Sequence, residues 1–179
     1  MDSTLGIVQS ADEVTQGTRS GEEFVALFDA HGAVLLATLR RLCGNSHDAD
    51  DLLQETAVRV WRSFDRRPWL RSPRAWLITI AYRTFLDNRR RDRRREVAQP
   101  AEIVDYRTEP PERRAERGEE VLRVNQQLDA LSPEIQQVVA LHYLGGLSIR
   151  QTAAAMDVSI AITKNRLHAA LKQLRKALE

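Results

Sequence analysis

The stretch LSIRQTAAAMDVSIAITKNRLHAALKQLRKAL, residues 147–178, has the pattern of two helices joined by a tight turn. Ser148 lies at the N-cap position of the first helix, and Gln151 three residues later completes a capping box. Ser159 caps the second helix, whose first turns carry polar and cationic side chains, an arrangement that suits the major groove of DNA. The stretch therefore predicts a helix-turn-helix, with two ordinary helices of an all-α core as the alternative.

Helical periodicity also covers most of the preceding chain, because apolar residues recur there at spacings of three and four. Residues 96–120 break this pattern, since they contain three prolines and no sustained apolar period. We therefore expect an all-α protein with two helical modules, residues 22–95 and 121–179, joined by a flexible linker over 96–120. Residues 1–21 are expected to form a tail or one weak helix, and the second module to contain four helices.

The same periodicity predicts which side chains are buried. Trp61 falls on the apolar stripe of the second helix, and Ile160 and Leu171 fall on that of the last helix. In the long helix that begins at Pro73, Tyr82 is expected on the outer face, among arginines.

Composition excludes several functional classes. The 179 residues are 42% hydrophobic, enough for a core, but they contain no long apolar span and no signal peptide, so we expect a cytoplasmic protein without membrane insertion. Cys43 is the single cysteine, and the four histidines lack metal-ligand spacing. Glycine-rich phosphate loops are absent as well. We therefore predict no metal, no cofactor and no enzymatic activity.

Charge is unevenly distributed along the chain. Residues 65–95 contain eleven arginines and three aspartates, a net charge of +8, whereas residues 96–120 have a net charge of −4. Arginines that neutralise DNA phosphates release counterions and thereby favour binding. The loop that contains Trp69 combines an aromatic ring with cations, which suits the stacking of an unpaired base. The first module is thus suited to single-stranded or distorted DNA, and the second to duplex DNA.

On the second helix, the face opposite the apolar stripe presents Asp51, Gln54, Glu55, Val58 and Arg62. From these residues alone, both a solvated charged face and a docking surface for another protein remain open.

Three segments together resemble bacterial RNA polymerase sigma factors of the extracytoplasmic-function (ECF) group. They are DLLQETAVRVW (51–61), RAWLITIAYRTFLDNRRR (74–91) and GLSIRQTAAAMDVSIAITKNRLHAA (146–170), similar to sigma regions 2.2, 2.3 to 2.4 and 4.2. The resemblance implies a transcription initiation factor that binds core RNA polymerase, directs it to promoters and assists promoter melting. The implied partners are the β′ clamp and β flap of the polymerase, promoter DNA and an anti-sigma factor.

The resemblance also implies roles for individual residues. The residues implied to bind core polymerase are Asp51, Gln54 and Glu55. Those implied to contact the minus-ten element are Arg66, Arg67, Trp69, Arg71, Arg74, Tyr82, Arg83 and Arg90. Those implied to contact the minus-thirty-five element are Arg150, Thr163, Lys164, Asn165, Arg166 and His168. The recognition helix departs from the usual family pattern in two places: it starts with AITKNR (161–166), and further along Ala169 stands where a second arginine is common.

Two other functions fit parts of the sequence. A helix-turn-helix regulator that acts without polymerase would explain residues 147–178, but it leaves the 51–61 segment unused. A helical adaptor that binds only proteins would leave the arginine-rich segment unexplained, and its association with DNA would not depend on salt.

Overall fold

The structure is a computed structural model that describes residues 3–64, 71–98 and 119–178, with side chains described for 20–64, 71–95 and 123–176. All secondary structure in these ranges is helical, which confirms the all-α prediction. The helices are α1 (Ser3–Cys43), α2 (Ser46–Ser63), α3 (Pro73–Ala98), α4 (Glu119–Asp129), α5 (Pro133–Val139) with its π-helical continuation Ala140–Leu144, α6 (Ile149–Met156) and α7 (Ile160–Leu178). Within the described ranges, none of them is both long and apolar enough to cross a membrane.

Helices α1 to α3 form the first module around an apolar core. Leu35, Leu39 and Leu77 are completely buried in it. Between α1 and α2 the chain turns at Gly44, whose φ of 80° is readily adopted only by glycine. Asn45 then caps α2 by accepting a hydrogen bond from the Asp48 amide at 2.8 Å. Local capping thus fixes the boundary between these two helices.

The ends of the first module differ from the expected boundaries. Helix α1 begins at Ser3, so the segment expected to be a tail or a weak helix continues directly into the first core helix. Helix α3 extends to Ala98, and α4 begins at Glu119. Most of the expected linker, residues 99–118, lies outside the described residues.

Helices α4 to α7 form the second module, with the four helices expected. Ser148 and Gln151 make both hydrogen bonds of the capping box at the start of α6. Asp157 adopts the left-handed conformation, with φ of 54°, in the turn that follows. Ser159 then accepts a hydrogen bond from the Ile162 amide at 3.2 Å. These contacts confirm the two serine caps and the tight turn of the predicted helix-turn-helix.

The two modules pack against each other. Leu141 and Leu147 of the second module are almost fully buried, and with Ala155 they join the apolar cluster built by α1, α2 and α3. A smaller cluster within the second module contains Leu131 and Val139. Part of the apolar core of the second module is therefore continuous with the core of the first.

Burial differs from the periodic pattern at four positions. Three side chains expected in the core are exposed, namely Trp61 (49%), Ile160 (43%) and Leu171 (50%). Tyr82, expected on the outside, is only 3% exposed. Helices α2 and α7 thus have apolar residues that the neighbouring helices do not cover, whereas on α3 a residue expected outside is covered.

Candidate nucleic-acid interface

The first turns of α7 present an exposed cationic surface. Lys164, Asn165 and His168 are exposed there, and Arg150 is exposed on α6. The Ser159 cap fixes the start of α7 relative to α6, which holds these side chains on a rigid element. Such a helix end has the side-chain chemistry that contacts phosphates and base edges in a major groove.

Thr163 lies on the opposite side of α7. Its side chain is fully buried, and its hydroxyl donates to the Ser159 carbonyl oxygen at 3.1 Å. Leu167 and Ala170, four and seven residues later, are buried on the same side. The expectation that Thr163 faces outward with the cationic residues is therefore wrong, because the helical period places it in the core of the module.

Helix α3 presents a second cationic surface. Arg71 precedes this helix, Arg83 and Arg90 lie on it, and all three are exposed. The other arginines of the tract, up to Arg95, are also largely exposed. Three further residues with expected minus-ten contacts lie outside the described residues, namely Arg66, Arg67 and Trp69. The described part of this surface suits a nucleic-acid backbone.

Arg74, near the start of α3, is half-buried and contacts the second module. Its Nε donates to the Gly145 carbonyl oxygen at 2.7 Å, and its Nη2 donates to the Leu144 carbonyl oxygen at 2.9 Å. Both acceptors lie at the end of the π-helical turn that follows α5. This arginine is thus engaged within the chain.

Tyr82 is buried at the same boundary, so the expectation that it lies on the outer face is wrong. Its hydroxyl donates to Gln137 Oε1 of α5 at 2.7 Å. Burial raises the pKa of Tyr82 to about 12, although the nearby positive charge of Arg166 acts in the opposite direction. Arg166, itself half-buried, belongs to α7. The packing therefore brings together two residues with expected minus-ten contacts, Arg74 and Tyr82, and one with an expected minus-thirty-five contact.

The expected polymerase-docking face of α2 is only partly free. Asp51 and Gln54 are exposed. Glu55 is half-buried and accepts hydrogen bonds at 2.8 Å from both Arg59 of α2 and Arg91 of α3. In this structure Glu55 links α2 to α3, whereas Asp51 and Gln54 are available to a partner.

The Arg59 guanidinium also donates to Asp87 Oδ2 at 2.7 Å. This hydrogen bond, together with the charge of Arg59, holds the pKa of Asp87 below its usual value. Asp87, Arg59 and Glu55 thus form an ionic network that fixes the relative position of α2 and α3.

The face of α2 also has an apolar component. Val58 and Trp61 are about half exposed and follow Gln54 at spacings of four and seven residues. Phe24 of α1 packs edge-on against Trp61, with the ring centroids 5.1 Å apart. From the sequence, Trp61 was expected in the core, so its place on this exposed face of α2 was not predicted. The helical spacing from Gln54 was the available signal.

Metal ligation has no support in the described residues, where no group of three or more histidine, cysteine, aspartate or glutamate side chains is arranged to hold an ion.

The family comparisons match both modules. The model for Sigma-70 region 2 matches residues 27–95, and the model for Sigma-70, region 4 matches residues 122–174. The ECF RNA polymerase sigma factor SigL of Mycobacterium tuberculosis is 32% identical over 155 residues, which cover 86% of this chain and 88% of the relative. SigE of Mycolicibacterium smegmatis, also an ECF RNA polymerase sigma factor, is 37% identical over 142 residues, 77% of this chain and 54% of the relative.

Solved structures share the fold across both modules. The sigma factor RpoE from Bartonella quintana, solved in complex with the anti-sigma factor NepR, gives a TM-score of 0.68 at 23% identity, covering 88% of this chain and 95% of that one. CnrH, solved in complex with the cytosolic domain of CnrY, gives 0.64 at 25% identity and covers 88% of each chain. The helix-turn-helix, the arginine-rich α3 and these matches lead to one conclusion: the chain belongs to the ECF RNA polymerase sigma factors, a family of transcription initiation factors.

Proposed function

We propose that this sigma factor binds core RNA polymerase with its first module and places one DNA-contacting surface of each module on a promoter. The observation that carries the proposal is the pair of exposed cationic surfaces on separate modules, at the start of α7 and along α3. Two such surfaces suit two separated promoter elements better than one operator. The chain acts without catalysis of its own and works in the cytoplasm, with the polymerase.

For polymerase binding, we propose the α2 face defined by Asp51, Gln54, Val58 and Trp61. It combines exposed polar groups with two half-exposed apolar side chains. An apolar centre with a polar surround is typical of protein interfaces. Glu55 contributes mainly by holding α2 against α3, because its Oε1 accepts hydrogen bonds from both Arg59 and Arg91.

For the minus-ten element, we propose that Arg71, Arg83 and Arg90 hold the DNA backbone, with Arg66, Arg67 and Trp69 in the preceding loop. Arg74 and Tyr82 join them when the second module moves away. Captured unpaired bases and arginine contacts stabilise an opened strand against rewinding, so melting needs no hydrolysis.

For the minus-thirty-five element, we propose that Lys164, Asn165 and His168 enter the major groove, with Arg150 and Arg166 beside them. Thr163 is a packing residue in this proposal, because its hydroxyl and methyl groups lie in the core. An anti-sigma factor is a further proposed partner, by analogy with the complexes that the structural relatives form.

The test is transcription in vitro by the purified chain with core polymerase on a library of genomic promoters. We expect promoter-specific transcripts, and their complete absence would show that the proposed function is wrong. Gln54→Arg should weaken association with core polymerase, whereas Gln126→Arg, an equivalent change at an exposed position of α4, should not.

DNA recognition by α7 is tested with a second matched pair. Lys164→Ala should lower the affinity for promoter DNA several-fold. It should also reduce the slope of log affinity against log salt concentration by the amount that corresponds to about one phosphate contact. Lys176→Ala changes an equally exposed lysine near the end of the same helix and should have little effect. Equal effects of the two substitutions would contradict the assignment of the first turns of α7 to DNA.

A further inference from the structure

The sides of α7 differ in which side chains they present. Thr163, Leu167 and Ala170 are buried, so they define the side of α7 that faces the core of its module. Successive residues of an α-helix are about 100° apart around its axis. Asn165 lies two positions from both Thr163 and Leu167, which places it on the side opposite the core, and it is exposed there. If α7 enters a major groove, this side faces the base edges.

The cationic residues of α7 lie beside Asn165. Lys164 is about 100° from Thr163 around the helix axis, at one edge of the outward side. His168 follows Lys164 by four residues and so lies toward the same edge. Long cationic side chains at the edge of a helix in the groove suit phosphates, which fix position and carry no sequence information. The centre of the outward side is thus left to Asn165 for reading a base.

The amide of asparagine matches one base in particular. It can donate to adenine N7 and accept from the adenine N6 amino group at the same time, and only adenine presents this pair of groups in the major groove. The start of the helix is rigid, because the Ile162 amide donates to Ser159 Oγ at 3.2 Å. A side chain on such a helix end is held in one place relative to the groove.

Apolar side chains lie on either side of Asn165 along the helix. Ile162, three residues earlier, is 44% exposed, and Ala169, four residues later, is half-buried. Isoleucine and asparagine are both weaker helix formers than alanine, so helix stability alone does not favour either at an exposed position. Apolar side chains in a major groove contact the C5 methyl group of thymine.

We propose that Asn165 reads an adenine in the minus-thirty-five element, and that Ile162 and Ala169 contact thymine methyl groups near it. The inference deepens the proposed function and rests on it, because it takes the first turns of α7 as a DNA-contacting surface. Ile162 and Ala169 lie about 4.5 and 6 Å from Asn165 along the helix axis, since each residue adds about 1.5 Å. Base pairs are stacked about 3.4 Å apart, so the thymines should lie within about two base pairs of the adenine.

The first experiment measures base preference with the full chain bound to core polymerase. The template is a promoter found in the genomic library, with its minus-thirty-five segment randomised, and sequencing of the transcribed templates gives the preference at each position. Asn165→Ala is compared with the wild type and with Gln173→Ala, which removes an exposed amide two turns further along the same helix. Both substitutions are at exposed positions, and circular dichroism checks that the helices are retained.

Wild type and Gln173→Ala should prefer adenine at one position by about 5- to 150-fold, the discrimination expected of a bidentate pair. Asn165→Ala should lose that preference and keep the preferences at other positions. Retention of the adenine preference by Asn165→Ala would overturn the proposal. An equal loss of activity on all sequences would also overturn it, because that is the behaviour of a phosphate contact.

Two modified bases test the contacts atom by atom in a binding assay with the same polymerase complex. 7-Deazaadenine lacks the N7 acceptor, so at the preferred position it should weaken binding by the wild type about 2- to 10-fold and leave binding by Asn165→Ala unchanged. Deoxyuridine lacks the thymine methyl group. In place of a thymine within two base pairs, it should weaken binding by the wild type about 2- to 4-fold. At one such thymine this effect should vanish in Ile162→Ala. Equal effects on the wild type and its variants would overturn these contacts.

Failure of this proposal is distinguishable from failure of the proposed function. Promoter-specific transcripts from the wild-type chain, together with an unchanged adenine preference in Asn165→Ala, would overturn only the base contact. Absence of transcripts with wild-type protein and core polymerase would overturn the proposed function, and the base contact with it.

Discussion

The energy of the contact between the modules can be measured by combining two substitutions, Gly146→Ala and Arg74→Ala. An alanine in the left-handed conformation at this position, where φ is +70°, costs about 1–2 kcal/mol. Its Cβ would lie 2.4 Å from the guanidinium, so Arg74 would also have to leave its two carbonyl acceptors. Each hydrogen bond contributes about 0.5–1.5 kcal/mol net. We therefore expect Gly146→Ala to lower the free energy of unfolding by about 2–5 kcal/mol.

In an Arg74→Ala background the same glycine substitution should cost only about 1–2 kcal/mol, since no guanidinium is displaced. The double-mutant cycle should thus give a coupling energy of about 1 kcal/mol or more, measured by urea unfolding followed at 222 nm. Gly32→Ala is the control, because a Cβ there meets nothing within 4 Å and the site is inside α1, so we expect a gain of about 0.5–1 kcal/mol. Additive costs of the two substitutions would refute the reasoning.

Three further outcomes are expected. The Thr56 hydroxyl is buried without a partner in the described part of the chain, whereas that of Thr38 donates to Val34 at 2.8 Å. Thr56→Val should therefore raise the free energy of unfolding by about 1 kcal/mol, and Thr38→Val should lower it by a similar amount, both measured in thermal melts. Burial raises the pKa of Cys43 to about 12, so alkylation by iodoacetamide at pH 8 should be at least about 100-fold slower than in urea-denatured protein, and equal rates would contradict the buried thiol. Because the pKa of Asp87 is lowered in the folded chain, its stabilising effect is present at neutral pH and is lost as the pH falls through that lowered value. Asp87→Asn should cost about 0.5–1 kcal/mol at pH 7, and urea unfolding should show this difference shrinking in acid.

Features that depend on neighbours within one turn of helix could be predicted from the sequence. Ser148, Gln151 and Ser159 take the capping positions expected, because each cap joins residues only three positions apart. The division into two helical modules could be predicted for a similar reason. The prolines of residues 96–120 and their lack of an apolar period are local features of the sequence.

Features that depend on contacts between distant segments could not be predicted in this way. Tyr82 was expected on the outer face of α3, but it belongs to the buried apolar cluster, and its hydroxyl donates to Gln137 of the second module. Trp61 shows the opposite case, because the apolar stripe of α2 is wider than its neighbours can cover. Thr163 was misplaced because its polar hydroxyl suggested exposure, although within a helix the hydroxyl can bond to the carbonyl four residues earlier.

The contact between the modules uses the same chemistry as a contact to DNA. Arg74 binds carbonyl oxygens at the negative end of a helix, and a phosphate would offer it the same acceptor geometry with a full charge. A hydrogen bond between two charged groups is roughly twice as strong as one to a neutral group, so the exchange of carbonyl oxygens for phosphate oxygens favours the phosphate by about 1 kcal/mol for each contact. A partner that stabilises either arrangement by a few kcal/mol then shifts most of the population, because about 5.5 kcal/mol of differential binding moves an equilibrium from 1:99 to 99:1. A protein that bridges both modules would favour their packed arrangement, in which Arg74 binds the carbonyl oxygens of Leu144 and Gly145, over one in which the modules are separated.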